Sequence, residues 1–345
     1  MTFIPMTNSR RLVPGVGRDT AKIIVVGDYT SQFDDRELKP FSGPAGTVME
    51  SCLHAAGLIR GEVYLTNCFK SKTTRPGKFA NMDFFDEKKK TFTELGLEHA
   101  DMLRKELDKH KANVIVAAGN PALKALTSLS SVSKYRGYVC QADKLNGRKL
   151  IPTHSPNSTM RGNYVQRQMI VADLRKAKME CDSPLIVRPE RQLIYSFENV
   201  EEVLQWLAYF EKQPILSFDI EVINYEVSCI SFASDPSIGV VVPIGDSTGI
   251  KRPWTEDEEL QIWRGVQRTL GTESDKVGQN LLFDTHFLLT RNGIVVKGKL
   301  HDTMIAHSVM FPELPKGLDF LGSLYCGAQE YWKDSVKFNN IKGEN

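Results

Sequence analysis

Two carboxylates two residues apart in an apolar run constrain this chain more than any other feature. The stretch Pro214-Ile-Leu-Ser-Phe-Asp-Ile-Glu-Val222 is rich in strand-forming side chains and reads as a buried strand. Side chains alternate along a strand, so Asp219 and Glu221 fall on one face. Two acids side by side at the end of a core strand repel each other and lose solvation. A divalent cation held by oxygen ligands is the usual compensation. The alternative is an edge strand whose solvent face carries two acids, and these nine residues alone leave both readings open.

A chain of 345 residues exceeds one ordinary core and implies two domains. With 41% hydrophobic and 25% charged residues it has the composition of a soluble protein. No apolar run approaches the ~20 residues of a membrane span, so a membrane is not an expected partner. The start, Met-Thr-Phe-Ile-Pro-Met-Thr, lacks the basic-then-apolar order of a signal peptide. Six scattered cysteines without a Cys-x-x-Cys pair fit reduced thiols of a cytoplasmic protein, not a disulfide frame or a zinc site. The net charge of +2 conceals an asymmetry. Residues 1–180 carry 29 Lys and Arg against 18 acids, a net of +11, and residues 181–345 a net of −9. A basic half suits a polyanion such as DNA, and an acidic half suits a metal.

In the first half, Lys22-Ile-Ile-Val-Val-Gly27, Glu62-Val-Tyr-Leu-Thr-Asn67, Asn113-Val-Ile-Val-Ala-Ala-Gly119 and Leu150–Pro156 read as strands. Helices are expected from about Thr47, over Leu95–His110, from Pro121, and over Tyr164–Met179. Residues 28–39 read as a polar loop and 71–90 as a basic, irregular segment. Such alternation predicts a parallel sheet covered on both faces, with binding groups in the loops at the strands' carboxyl ends. Those loops hold Asp28, Phe41, Asn67 and His154. The polar, Pro-containing Cys181–Leu185 reads as a linker, which sets domains at 1–182 and 183–345. Beyond it come a helix over Phe197–Phe210, the Asp219/Glu221 strand, and an antiparallel pair at 228–233 and 238–243. Asn280 and Asp284, four apart, are expected on one face of a helix start, and Asp302 reads as a helix cap.

Val26-Gly-Asp, Lys39-Pro-Phe-Ser-Gly-Pro-Ala-Gly46, Gly57-Leu-Ile-Arg60, Val63-Tyr-Leu-Thr-Asn67, Val114–Gly119, Arg136-Gly137 and Pro152-Thr-His-Ser-Pro156 appear in that order. The series resembles the motifs of family 4-type uracil-DNA glycosylases over residues 10–180. The resemblance implies an αβα sandwich that reads a flipped base in a pocket. It makes Phe41 the stacking aromatic, Asn67 the amide on the base edge, and Asp28 the counterpart of the family's hydrolytic Glu. The family's Gly-Glu-Ala-Pro-Gly loop is Gly27-Asp-Tyr-Thr-Ser31 here, and its His-Pro pair is Ser155-Pro156, with His154 one position early. Its four cluster cysteines are missing, Ser71 standing at one expected position, so no iron–sulfur cluster is expected. The loss of a histidine beside the leaving base counts against glycosylase activity.

Asp219-Ile-Glu221, Gln279-Asn-Leu-Leu-Phe-Asp284 and Asp302-Thr-Met304 with Leu318-Asp-Phe-Leu321 resemble the proofreading 3′→5′ exonuclease domain of family A DNA polymerases. This second resemblance implies a ribonuclease H-like α/β domain with a mixed sheet. It further implies two-metal phosphodiester hydrolysis with Mg²⁺ or Mn²⁺ held by Asp219, Glu221 and Asp284. One ion generates the attacking hydroxide and the other stabilises the leaving oxygen, roughly 3.5–4 Å apart. The family's third motif, Tyr-x-x-x-Asp, is not found; Tyr331-Trp-Lys-Asp334 has the wrong spacing, so the two-ion site is expected to be incomplete. The pair of domains resembles the amino-terminal part of a bacteriophage family A polymerase, with DNA and the remaining polymerase polypeptide as partners. Two rivals stand beside this reading: a uracil-excising repair enzyme, and a non-catalytic module that holds DNA or a polymerase.

Overall fold

The run Ile23-Ile-Val-Val26 carries apolar side chains on both sides of the backbone, and each side needs its own cover. The computed structural model describes residues 11–73, 83–86, 88–89, 91–160, 162–245, 252–328, 331 and 333. In it, Ile24 and Val26 enter one apolar cluster with Ala100, Leu103 and Leu107. Ile23 and Val25 enter another with Met49, Leu53, Ile170 and Leu174. The strands between these layers are β1 (Ile23–Thr30), β2 (Val63–Lys72), β5 (Val114–Ala118), β6 (Cys140–Ala142) and β7 (Arg148–Thr153), with a separate small pair β3 (Phe85–Asp86) and β4 (Thr91–Phe92). Their order is β2-β1-β5-β7-β6, parallel throughout except for β6 on β7. The helices are α1 (Gln32–Glu37), α2 (Pro44–Ala55), α3 (Glu94–Leu107), α4 (Asn120–Leu126), α5 (Val132–Tyr135), α6 (Pro156–Thr159) and α7 (Val165–Glu180).

Two local expectations change here. Strand β1 runs on through Asp28 to Thr30, and α1 occupies most of what reads as a loop. That helix has no apolar stripe; a reciprocal capping box between Ser31 and Asp34 starts it. Helix α2 begins at Pro44, three residues before the expected Thr47, because proline is suited to a first turn that needs no N–H. Of the basic segment at 71–90, residues 74–82, 87 and 90 lie outside the described residues.

The second sheet is mixed. Strands β8 (Gln192–Ile194), β9 (Ile215–Ile223), β10 (Glu226–Asp235), β11 (Ile238–Pro243), β12 (Asp275–Gly278) and β13 (Leu300–Asp302) lie in the order β13-β12-β9-β10-β11-β8. The β9-β10 and β10-β11 pairs are antiparallel and the others parallel. Helices α8 (Val200–Phe210), α9 (Glu256–Leu270), α10 (Leu281–Asn292) and α11 (Thr303–Met310) accompany it, and α12 (Leu318–Tyr325) follows. Leu216, Phe218 and Ile220 of β9 are buried with Phe232, Val240, Leu207, Phe210, Ile262 and Val266. Each such side chain contributes about 1.5–3 kcal/mol over an exposed one. The strand is therefore central but half-buried, neither the fully buried strand its apolar run suggests nor an edge strand. Its other face carries Asp219 and Glu221, both exposed.

The chain divides into two units, Met1–Arg188 together with Asp319–Asn345, and Pro189–Leu318. The described residues after Leu318, grouped by sequence with the second half, thus fall in the first unit. The α/β class holds for both units. All six cysteines are free thiols. No helix among the described residues is long and apolar enough to cross a membrane.

Candidate functional site

The carboxylates of the second unit are gathered by a gap in the sheet. Strand β12 pairs with β9 only at Ile215, Leu216 and Ser217, which leaves the later N–H groups on that side of β9 without a ladder partner. Asp284, in the first turn of α10 and 3% exposed, takes one of them: the Ile220 N–H donates to its Oδ1 at 3.0 Å. Ile220 lies between Asp219 and Glu221, so a single hydrogen bond brings Asp284 to the face that carries the other two acids. Asn280 is not on that helix. It precedes α10 as the N-cap, in the left-handed conformation (φ 61°), and its side chain makes no cap bond. The capping acid is Asp302, at the end of β13. It accepts the N–H groups of Asn280 and Leu281 at 3.2 and 2.8 Å, and those of Met304 and Ile305 at 2.8 and 3.2 Å. One carboxylate thereby starts two helices and sets where Asp284 stands.

Partial burial, then the nearby Asp284 and Glu221, push Asp219 up to about 6. Burial also raises Asp284, against the lowering effect of the Ile220 N–H. Carboxyls raised by burial and by neighbouring acids suit a cation with hard oxygen ligands, and an all-carboxylate donor set is chemistry that suits Mg²⁺ or Mn²⁺. Among the described residues, no three His, Cys, Asp or Glu side chains stand close enough together to hold a metal ion as they are placed. Asp219 and Glu221 are exposed, and Asp284 is buried. Beside them lies an open cleft of about 800 Å³ with Tyr225, Phe283, Phe287, His286 and Arg291 on its walls.

A pH dependence follows. Asp219 holds its proton in the folded state above the unfolded value of 3.8, so its stabilising contribution is complete below that pH and is lost as pH rises through about 6. Metal-free wild type should lose thermal stability between pH 4.5 and 7, relative to Asp219→Asn, while added Mn²⁺ raises the melting temperature more at pH 7.5 than at pH 5. Melting curves of both proteins in chelator and in Mn²⁺ check this; identical pH profiles would refute it.

In the first unit, Asp28, Phe41 and Asn67 line one pocket of about 290 Å³, with Ser155 and Met160 also on its wall. Phe41 has a positive φ of 58°, uncommon for a bulky residue, and is buried. The Asn67 amide is aimed by Asp34, which accepts its Nδ2 at 3.3 Å and the backbone N–H groups of Ser31 and Ser42 at 2.9 and 2.7 Å. Sequence reasoning passes over Asp34, although its position three residues after Ser31 is a capping-box signal. The Asp28 carboxyl lies against Gly119, where an added Cβ would fall 2.0 Å from Oδ2. His154 is not in this pocket. It lines an adjoining cleft of about 300 Å³ with Asp28, Lys124 and Ser155. Burial holds its imidazole below the usual range, with Asp173 opposing and Arg136 assisting. Asp28 and Ser155 line both cavities. Ser71 is buried with its Oγ 3.4 Å from His99 Nε2, beside the stacked rings of Phe69 and Phe84.

Comparison with known proteins finds two family matches in succession along the chain. Residues 14–175 match the uracil DNA glycosylase superfamily, and residues 194–341 match a 3′-5′ exonuclease family. The type-4 uracil-DNA glycosylase of Thermotoga maritima is 28% identical over 179 residues, covering 50% of this chain and 83% of that protein. A DNA polymerase of Bacillus phage SP01 is 26% identical over 323 residues, covering 86% of this chain. The matched part is 33% of that polymerase, so this chain spans about a third of its length. Among solved structures, the exonuclease domain of Aedes aegypti Nibbler aligns with TM-score 0.34 and 13% identity, over 47% of this chain and 81% of that one.

Proposed function

We propose that this chain, which joins a uracil DNA glycosylase-superfamily domain to a 3′-5′ exonuclease domain, is the editing portion of a phage-type DNA polymerase and removes nucleotides from DNA 3′ ends. The observation that carries this reading is the Ile220 N–H bond that sets Asp284 against the strand whose exposed face presents Asp219 and Glu221, Asp284 and Glu221 both raising Asp219. These three would hold Mg²⁺ or Mn²⁺. When bound, such an ion activates a water and offsets charge on the phosphate. The protein's own part is to fix the acids: Ile220 N–H and Asp302 set Asp284, and the buried Leu216, Phe218 and Ile220 hold the strand that presents Asp219 and Glu221. Incubation of the chain with a 5′-labelled primer, Mg²⁺ or Mn²⁺, and then chelator tests the reading. Metal-dependent shortening from the 3′ end supports it; a folded, metal-loaded protein that leaves the primer intact, with and without downstream polymerase polypeptide, refutes it.

The first domain fits DNA recognition without base excision. Its net charge of +11 over residues 1–180 favours phosphate contacts, so DNA affinity of the chain should fall steeply with salt, with a log–log slope of about −0.9 per phosphate neutralised. Fluorescence anisotropy between about 50 and 200 mM salt, over which such contacts weaken, reads that slope, and a flat dependence would sink it. The pocket keeps a stacking ring and an amide, Phe41 and Asn67, yet presents Ser155 and not an imidazole at the family's histidine position. Losing such a charge-stabilising group costs ~10²–10³ in rate. Uracil release should accordingly be absent or very slow, and multiple turnovers in an alkaline-cleavage assay would contradict this. Asp28→Asn is then the first substitution to make, since Asp28 is the acid at the family's catalytic position.

A further inference from the structure

The exonuclease match extends to residue 341, but the described residues from Asp319 onward are packed into the first unit. Ala328 is buried in the apolar cluster that contains Val139, Ile170, Leu174 and Ala177. Tyr138 donates its hydroxyl to the Asp319 carbonyl at 2.6 Å. Arg136 donates to Ser323 Oγ at 2.9 Å, and its guanidinium carbon lies 5.0 Å from the centre of the Phe320 ring. Tyr331 sits edge-on to Tyr135 and Tyr138 at 5.4 and 5.5 Å, with Lys134 Nζ 4.9 Å from its centroid.

Lys176 is the centre of this contact. It is 4% exposed, and its ammonium donates to the carbonyls of Gly137, Ser323 and Cys326. Two of those carbonyls are at the carboxyl end of α12, where helical C=O groups lack partners within the helix and favour a cation. Gly137 has φ +74°, and an added Cβ would lie 2.9 Å from the Ser323 carbonyl oxygen, so the close approach of α12 requires glycine there.

We infer that the surface formed by Arg136, Gly137, Tyr138 and Lys176 is a docking site whose occupant is residues 319–328 of the same chain. The first domain, by this means, anchors the segment that follows the nuclease core. That role is separate from base recognition and from 3′ editing, and its test needs neither activity.

Hydrogen exchange of the full chain, read by mass spectrometry over residues 319–328, tests the anchor. Wild type should show these amides protected. Lys176→Met removes the donor shared by three carbonyls. Ala328→Asp places a charge from the segment itself into the apolar cluster. Each should speed exchange at 319–328 by about tenfold or more, with strands β1, β5 and β7 unchanged. Unprotected amides in the wild type would overturn the inference, and so would unaltered exchange in Ala328→Asp. If Lys176→Met loosens the whole first unit, Ala328→Asp decides, because its substitution lies on the docked segment and not on the surface that receives it.

Discussion

Replacing Asp219 by alanine should abolish metal-dependent shortening of a primer, with a loss of at least about 10³-fold, equivalent to ~4 kcal/mol of transition-state stabilisation. DNA affinity should remain within about twofold, because the change removes a metal ligand and not a phosphate contact. The contrast follows from where the residue stands. Asp219 is on the exposed face of β9, opposite Ser231 on β10, and no core contact depends on its side chain. Asp284 needs a gentler substitution, since its carboxylate also satisfies the Ile220 N–H. Asp284→Asn keeps an acceptor for that N–H and removes the charge, so it should preserve the fold while losing activity. Single-turnover assays with a 3′-terminal label, paired with binding titrations, measure both. Near-wild-type shortening by Asp219→Ala would require another set of residues for the chemistry.

The parts of this architecture that can be read from sequence are those whose burial is local. Runs such as Ile23–Val26 and Val114–Ala118 announce strands because every side chain is apolar, and Leu216, Phe218 and Ile220 alternate with the acids as a half-buried strand demands. The Asp219/Glu221 pairing is legible for the same reason. Asn280 is misplaced by sequence because a four-residue spacing suggests a helix face, whereas its left-handed backbone ends one element before the next begins. His154 and Ser155 leave the strand in succession and part: Ser155 lines both cavities of the first unit and His154 only the one it shares with Lys124. Asp302 reads as a helix cap and caps α11, but its second role at the start of α10, like the hold of Asp34 on Ser42 and Asn67, depends on which N–H groups it meets in the fold. The docking of α12 leaves no local signal at all, since Arg136 and Ser323 are 187 residues apart.

Asp173→Ala should destabilise the first unit by about 3–5 kcal/mol, the usual cost of leaving one member of a buried ion pair alone. The Arg136 and Asp173 side chains are 4% and 1% exposed. Two guanidinium nitrogens donate to the two carboxylate oxygens, Nε to Oδ2 at 3.2 Å and Nη2 to Oδ1. Thr153 Oγ1, at the end of β7, adds a third bond to Oδ2 at 2.7 Å. Removing the carboxylate leaves the guanidinium buried with its charge uncompensated, which costs far more than the attraction that is lost. The double variant Arg136→Met with Asp173→Leu should therefore be less damaging than Asp173→Ala alone, because no charge is stranded. The solvent-open pair Lys22–Asp182 provides the internal control: Asp182→Ala should leave the unfolding midpoint almost where it was. With a urea slope of about 1–3 kcal/mol/M, Asp173→Ala should move the midpoint by more than about 1 M. A midpoint shift no larger than that of Asp182→Ala would show that Arg136 is reached by water in solution, and that the pair does not hold the end of α5 against α7.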